Sequence, residues 1–303
     1  MEKVVSSSLI IRSQKAPENG AFSFDVRGRC VREVQTTMLL AVPAATPALT
    51  PLQKAEIVVV TTARPRVFRG ASGITFADQE GGAIRAVPNA PPADAAASYT
   101  SSAEAFTAGR RTARALHRAG IDVDFAPVLD TSDGPLGSRQ FSRPQFGVAF
   151  ARGLGRAACA KHFPGLGSAS YSTDARPHVE GRIRSRDLAP YRDAIRQGLG
   201  CVMVGNAFYG TRFRASLEPS TYRRLRSLGF RGIAITDSLS LVRAAPVERW
   251  APQAIRAGAD MVLFTSPAHA RRAIRALLPL ARRGELDSRV TRILKWRRDL
   301  RRS

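Results

Sequence analysis

The chain has 303 residues, 44% of them hydrophobic, with 47 basic against 24 acidic residues and a formal net charge of +23. That apolar content can fill a core and excludes a disordered chain, and no apolar run reaches the roughly 18 residues that a membrane-crossing helix needs. Five of the basic residues, at positions 3, 15, 54, 161 and 295, are lysine and the other 42 are arginine. The arginines are scattered among alanines rather than interleaved with aromatics, and are dense only in the C-terminal KWRRDLRRS. No specific nucleic-acid partner is therefore expected, although nonspecific adhesion to anionic polymers suits the charge.

The first residues, MEKVVSSSLIIRSQ, hold an apolar patch shorter than the about 7–15 residues of a signal-peptide core. As written, the chain is expected in the cytoplasm, with export open should the true start differ. Residues 1–56 show no strand–helix pattern, and AVPAATPALTP (41–51) has the composition of a linker. IVVV (57–60) is a possible strand. From residue 74 onward the segments ITFAD (74–78), VDFAPV (123–128), AACAKHF (157–163), CVMVGN (201–206), GIAITD (232–237) and DMVLF (260–264) read as short buried strands. Between them lie helical patterns with glycine stops: SAEAFTAGRRTARALHRAG, SRDLAPYRDAIRQG with a serine cap, EPSTYRRLRSLG and ERWAPQAIRAG. This alternation predicts a parallel α/β fold, a (β/α)8 TIM-type barrel over 57–303, in which either the first unit is degenerate or the start of the chain differs from that of its relatives.

The strand ends are polar. Asp78, Asp130, the pair Lys161–His162, Asn206 and Asp237 each follow an apolar run. In barrels the active site is built at the carboxyl ends of the strands, so five such ends in succession predict a shared polar mouth. The cysteines, at 30, 159 and 201, are odd in number and far apart; buried reduced thiols are expected, with neither a metal cluster nor a disulfide framework. The four histidines, at 117, 162, 178 and 269, are equally dispersed and suggest no metal site.

Five segments in order carry a resemblance: FADQEGG (76–82), VDFAPVLD (123–130), GSRQF (137–141), KHFPGLG (161–167) and GFRGIAITDSL (229–239), followed by AGADMVLF (257–264). Together they resemble glycoside hydrolase family 3, in its single-domain, NagZ-type β-N-acetylglucosaminidase branch. The resemblance implies a retaining hydrolase that releases terminal β-linked N-acetylglucosamine from cell-wall-derived saccharides, with no cofactor, a carbohydrate as partner, and a monomeric chain. It makes Asp237 the nucleophile, and a retaining mechanism needs one carboxylate for the glycosyl-enzyme and a second group to protonate the leaving oxygen. It places Asp78, Arg139, Lys161 and His162 on the sugar. Glu80 would orient its loop, and Arg85 lies one position off a family arginine.

One loop departs from the family pattern. Where the family carries Asp-Ser-His, this chain reads STDARPH: Asp174 stands for the aspartate and Arg176 takes the place of the histidine. Arginine holds its proton at any working pH. The proton donor is therefore open between Asp174 and His178, in a Gly- and Ser-rich loop (165–177) expected to bury little and to move. Leu166 also replaces a family histidine. These departures leave a second reading, a catalytically weak or inactive sugar-binding barrel.

Overall fold

A computed structural model describes residues 22–24, 30–32, 48–131, 133–241 and 246–302. Most of the expected N-terminal segment 1–56, and residues 41–47 of its linker, lie outside the described residues. Within the unit Met1–Ala48, strands β1 (Phe22–Phe24) and β2 (Cys30–Arg32) pair antiparallel. The second compact unit, Leu49–Ser303, holds the remaining strands and helices.

That unit opens with helix α1 (Pro51–Ile57), started by a reciprocal cap between Thr50 and Gln53. The helix takes Ile57, so the expected IVVV strand begins two residues later, as β3 (Val59–Arg64). No helix follows. The chain turns at Arg66, whose φ is +57°, and returns as β4 (Val67–Arg69), antiparallel to both β3 and β5 (Thr75–Ala77). A hairpin thus stands where a strand–helix unit would be. After a small antiparallel pair, β6 (Gln79–Gly81) and β7 (Ile84–Arg85), the alternation predicted from sequence sets in.

Helix α2 (Ser102–Arg118) leads to β8 (Val123–Asp124), and α3 (Pro144–Leu154) leads to β9 (Cys159–Phe163). Then come α4 (Ser185–Arg196), β10 (Cys201–Val204), α5 (Pro219–Ser227), β11 (Ile233–Thr236), α6 (Val247–Ala257), β12 (Val262–Phe264), α7 (Pro267–Arg282) and α8 (Asp287–Leu300). One sheet runs β12–β3–β4–β5–β8, and a parallel one runs β11–β10–β9. Bridges join them on both flanks, Asp124 to Ala158 and Val128 to Lys161 on one side and Ile235 to Met261 on the other. The architecture is α/β and TIM-barrel-like. Strands β5 and β8 to β12 are buried along their whole length because helices cover their outer face, and Phe68, Phe76 and Phe125 pack ring against ring inside.

Two expectations about local structure are corrected. Helix α4 is not capped by Ser185: the Asp187 carboxylate accepts from the Arg184 backbone N–H at 3.0 Å, so Arg184 is the capping position. Cys159 and Cys201 are not free thiols: they lie opposite each other in the β9–β10 register, with Cα atoms 4.3 Å apart, and form a disulfide. Their 42-residue separation conceals a neighbourhood that only strand register creates. Several arginines, too, serve the fold. Arg289 donates to the carbonyls of Ile255, Ala259 and Glu285, while Arg226 and Arg292 both hold the buried Asp260.

Candidate active site

A cavity of about 230 Å³ opens at the carboxyl ends of the strands, lined by charged residues from several of them. Asp78 follows β5, Glu80 lies in β6, Lys161 and His162 lie in the second half of β9 and Asp237 follows β11. Arg139 comes from a one-turn 3-10 helix, Gly137–Arg139, and Asp174 from the loop after β9. Strand pairing fixes the first group, since each strand's last residues must emerge at the same rim.

Glu80 is the electrostatic hub. Arg139 grips it with a planar fork, Nε to Oε2 and Nη2 to Oε1, both at 2.8 Å. Lys161 Nζ lies 2.6 Å from Glu80 Oε1 and 2.7 Å from Asp78 Oδ1. Burial alone would raise the Glu80 pKa, but Lys161 and Arg139 outweigh it and hold the carboxyl at about 2. Burial disfavours the Lys161 ammonium, and Asp78 and Glu80 overcome this, so Lys161 stays charged with its pKa raised. The sequence reading gave Glu80 only an orienting role; in the structure it holds two of the residues assigned to the sugar.

His162 is fixed from behind. Its Nδ1 lies 2.8 Å from Asp130 Oδ2, and Asp130 also accepts from the backbone N–H groups of His162 and Leu166. Burial lowers the His162 pKa, but Asp130, with a smaller pull from Asp237, carries it above the ordinary value. Asp130 and Asn206 therefore support the mouth from beneath rather than lining it. Asn206 donates to the Ser238 carbonyl at 3.0 Å and accepts from the Ser216 hydroxyl at 2.6 Å.

Asp237 sits 8% exposed at the end of β11. Its Oδ1 accepts from the Ser238 backbone N–H at 2.6 Å, while Oδ2 is buried and, among the described residues, without a hydrogen-bond partner. Burial pushes its pKa up; His162 pulls it back and the Asp174 carboxylate adds to the rise, leaving it at about 6. One oxygen of this carboxylate is positioned and the other is free, in a cavity a ligand can enter.

Six of the predicted site residues, Asp78, Arg139, Lys161, His162, Asp174 and Asp237, line this cavity together. His178 does not. Its ring stacks on Phe208 with centroids 4.5 Å apart, and Nε2 lies 3.2 Å from Glu180 Oε1. Arg176 lies over the Tyr171 ring, 3.4 Å from its centroid. Arg85 lines a separate cavity beside α2, with Asp94, Glu104 and Arg111. Arg66, at the β3–β4 turn, lines the mouth and was not anticipated; only the hairpin brings it there.

The loop after β9 also differs from expectation. It was expected to bury little, yet Gly165, Leu166, Gly167, Ala169 and Thr173 are buried. Leu166 packs with Val128, Leu136, Ala169, Val179 and Ala207 in a small apolar cluster. Gly167 is needed for close approach, because a Cβ there would lie 1.8 Å from the Thr131 hydroxyl oxygen. Only the distal part, around Ser170–Tyr171 and 174–178, faces solvent.

A mostly parallel, TIM-barrel-like α/β fold with a carboxylate-lined cavity at its strand ends is the arrangement of an enzyme site. Residues 56–296 match the family described as glycosyl hydrolase family 3 N terminal domain, and the chain belongs to that family. The chain is 31% identical over 226 residues to a β-hexosaminidase of Xanthomonas oryzae pv. oryzae and 32% identical over 224 residues to one of Stenotrophomonas maltophilia. Each match covers 63% of this chain and 66% of the relative, so the chain spans just under two thirds of these relatives' length. Among solved structures, it is similar to a family 3 glycosyl hydrolase of Mycobacterium smegmatis, with a TM-score of 0.65 at 28% identity over 73% of this chain and 78% of the other. A β-N-acetylglucosaminidase of a Paenibacillus species shares the fold, with a TM-score of 0.70 at 23% identity, over 84% and 63% of the two chains.

Proposed function

We propose that this protein is a retaining glycoside hydrolase that releases terminal β-linked N-acetylglucosamine from cell-wall-derived or related saccharides. The similarity to β-hexosaminidases supports the substrate class. The observation that carries the mechanism is Asp237: a carboxylate with one oxygen positioned and the other free in a polar cavity. Asp237 attacks the anomeric carbon and forms the glycosyl-enzyme, and Asp174 gives its proton to the leaving oxygen and then takes one from the attacking water. Asp78, Arg139, Lys161 and His162 hold the sugar hydroxyls and N-acetyl group. At about 230 Å³ the cavity is smaller than the roughly 300 Å³ where pockets for drug-sized ligands begin, which suits a single sugar residue and exo action. The strands are read as a (β/α)8 barrel with a reversed second strand, and 57–303 as the catalytic domain.

The test is turnover of a chromogenic N-acetyl-β-glucosaminide beside a β-glucoside control. Selective release from the former, with a 2-fluoro sugar labelling Asp237, is the expected result; binding without turnover of either overturns the hydrolase. The second reading, a sugar-binding barrel, draws on one observation: no histidine of the departed loop reaches the cavity, since His178 lies on Phe208.

A further inference from the structure

Arg214 belongs to the β10–α5 loop, outside the cavity lining, and its placement is unusual. It is 6% exposed, and among the described residues no carboxylate pairs with it. A buried guanidinium without a counter-ion is costly unless its donors are well used. Here Nη1 donates to the Asn206 carbonyl at 3.3 Å and Nη2 to the Pro177 carbonyl at 3.2 Å. Its charge lies 5.0 Å from the Phe208 ring centroid, and that ring also carries the stacked His178.

The two carbonyls belong to different loops. Pro177 is three residues past Asp174. Asn206 lies two residues past β10, and its side-chain amide donates to the Ser238 carbonyl, next to Asp237. Around the guanidinium the two loops are stitched further. Phe208 N–H donates to the Val179 carbonyl and Gly181 N–H to the Phe208 carbonyl, both at 2.8 Å, and the Tyr209 hydroxyl donates to the Gly165 carbonyl at 2.8 Å. Arg214 thus joins the loop that carries Asp174 to the segment after β10, whose Asn206 holds the Ser238 carbonyl beside Asp237.

We infer that Arg214 is a positioning residue that clamps the Asp174 loop over the cavity by bridging the Pro177 and Asn206 carbonyls, and so sets the reach of the proton donor relative to the nucleophile. The inference rests on the proposed role of Asp174. Support comes from the charge balance: burial lowers the Arg214 pKa, and the Asp237 carboxylate draws it back up, so this cation lies within the field of the nucleophile. Lysine keeps the charge but has no fork to span two carbonyls.

The experiment compares wild type, Arg214→Lys and Arg214→Met on a β-N-acetylglucosaminyl disaccharide and on a nitrophenyl N-acetyl-β-glucosaminide, with backbone hydrogen exchange measured in parallel. A nitrophenolate leaves without protonation; a sugar alkoxide needs it. In both variants kcat/KM for the disaccharide falls about 10- to 100-fold, part of the 10²–10⁴ a general acid supplies, while the nitrophenyl substrate changes far less. Amides of residues 172–181 exchange faster while those of β9–β11 do not. Equal loss on both substrates, or unchanged exchange in 172–181, overturns the clamp. If the wild type hydrolyses neither substrate, the functional reading fails, and the exchange comparison still decides whether Arg214 holds the loop.

Discussion

The segment from Lys161 to His178 passes through two environments within eighteen residues. At its start Lys161 and His162 are buried, and each has a buried carboxylate partner, Glu80 and Asp130. At its end Asp174 and His178 are mostly solvent-exposed, and Asp174 reaches Arg139 only at 3.5 Å. The first region is held by low-dielectric charge pairing, in which removing one partner strands another. The second is held by backbone bonds and by Arg214, and its own charges are screened by water. The proposed substrate grip and the proposed proton delivery therefore have different physical supports, and they should fail differently.

The largest effect is expected at Asp237, the proposed nucleophile. Asp237→Asn should abolish turnover with the fold intact, because an amide cannot form the glycosyl-enzyme; near-normal kcat with either substrate would remove Asp237 from the mechanism. Next comes the exposed region. Asp174→Ala should lower disaccharide hydrolysis by about 10²–10⁴-fold and spare a nitrophenyl glycoside, at a stability cost of no more than about 1 kcal/mol, as for an exposed ion pair. Equal losses on both substrates would show that Asp174 is not the proton donor.

The buried region should behave in the opposite way. Glu80→Gln leaves Lys161 and Arg139 without their shared counter-ion, and should cost about 3 kcal/mol in denaturant unfolding. The pH dependence follows the same logic. Glu80 is depressed from 4.5 to about 2, so its stabilisation is fully present above pH 4.5 and drains away as pH falls toward 2. A stability curve flat across that range would contradict the hub.

Asp237 moves the other way. With its pKa raised to about 6 and ionisation required for attack, kcat/KM for the nitrophenyl substrate, which needs no proton donor, should fall as pH drops through 6, and Asp174→Ala should shift that limb downward by removing a neighbouring negative charge. The smallest effect belongs to His178. His178→Ala should leave the ratio between the two substrates unchanged, since its ring lies on Phe208 outside the cavity; a selective loss on the disaccharide would make it the proton donor after all.

Much of the molecule was legible in the order of residues. Short apolar runs ending in Asp78, Lys161–His162 and Asp237 foretold the α/β alternation and the polar mouth, because a buried strand must be apolar along its length and can change character only where it emerges. The helix stops at Gly120, Gly198, Gly229 and Gly258 were equally visible, since positive φ favours glycine there. Tertiary structure decided the rest. It paired Cys159 with Cys201, placed Glu80 between Lys161 and Arg139, brought Arg66 to the rim through a hairpin, and set the exposed Asp174 at the cavity edge while laying His178 and Arg176 against aromatic rings. The physical reason is common to all four. Periodicity along the chain reports which face a residue takes within its own element, whereas register and loop docking determine which distant residue it meets.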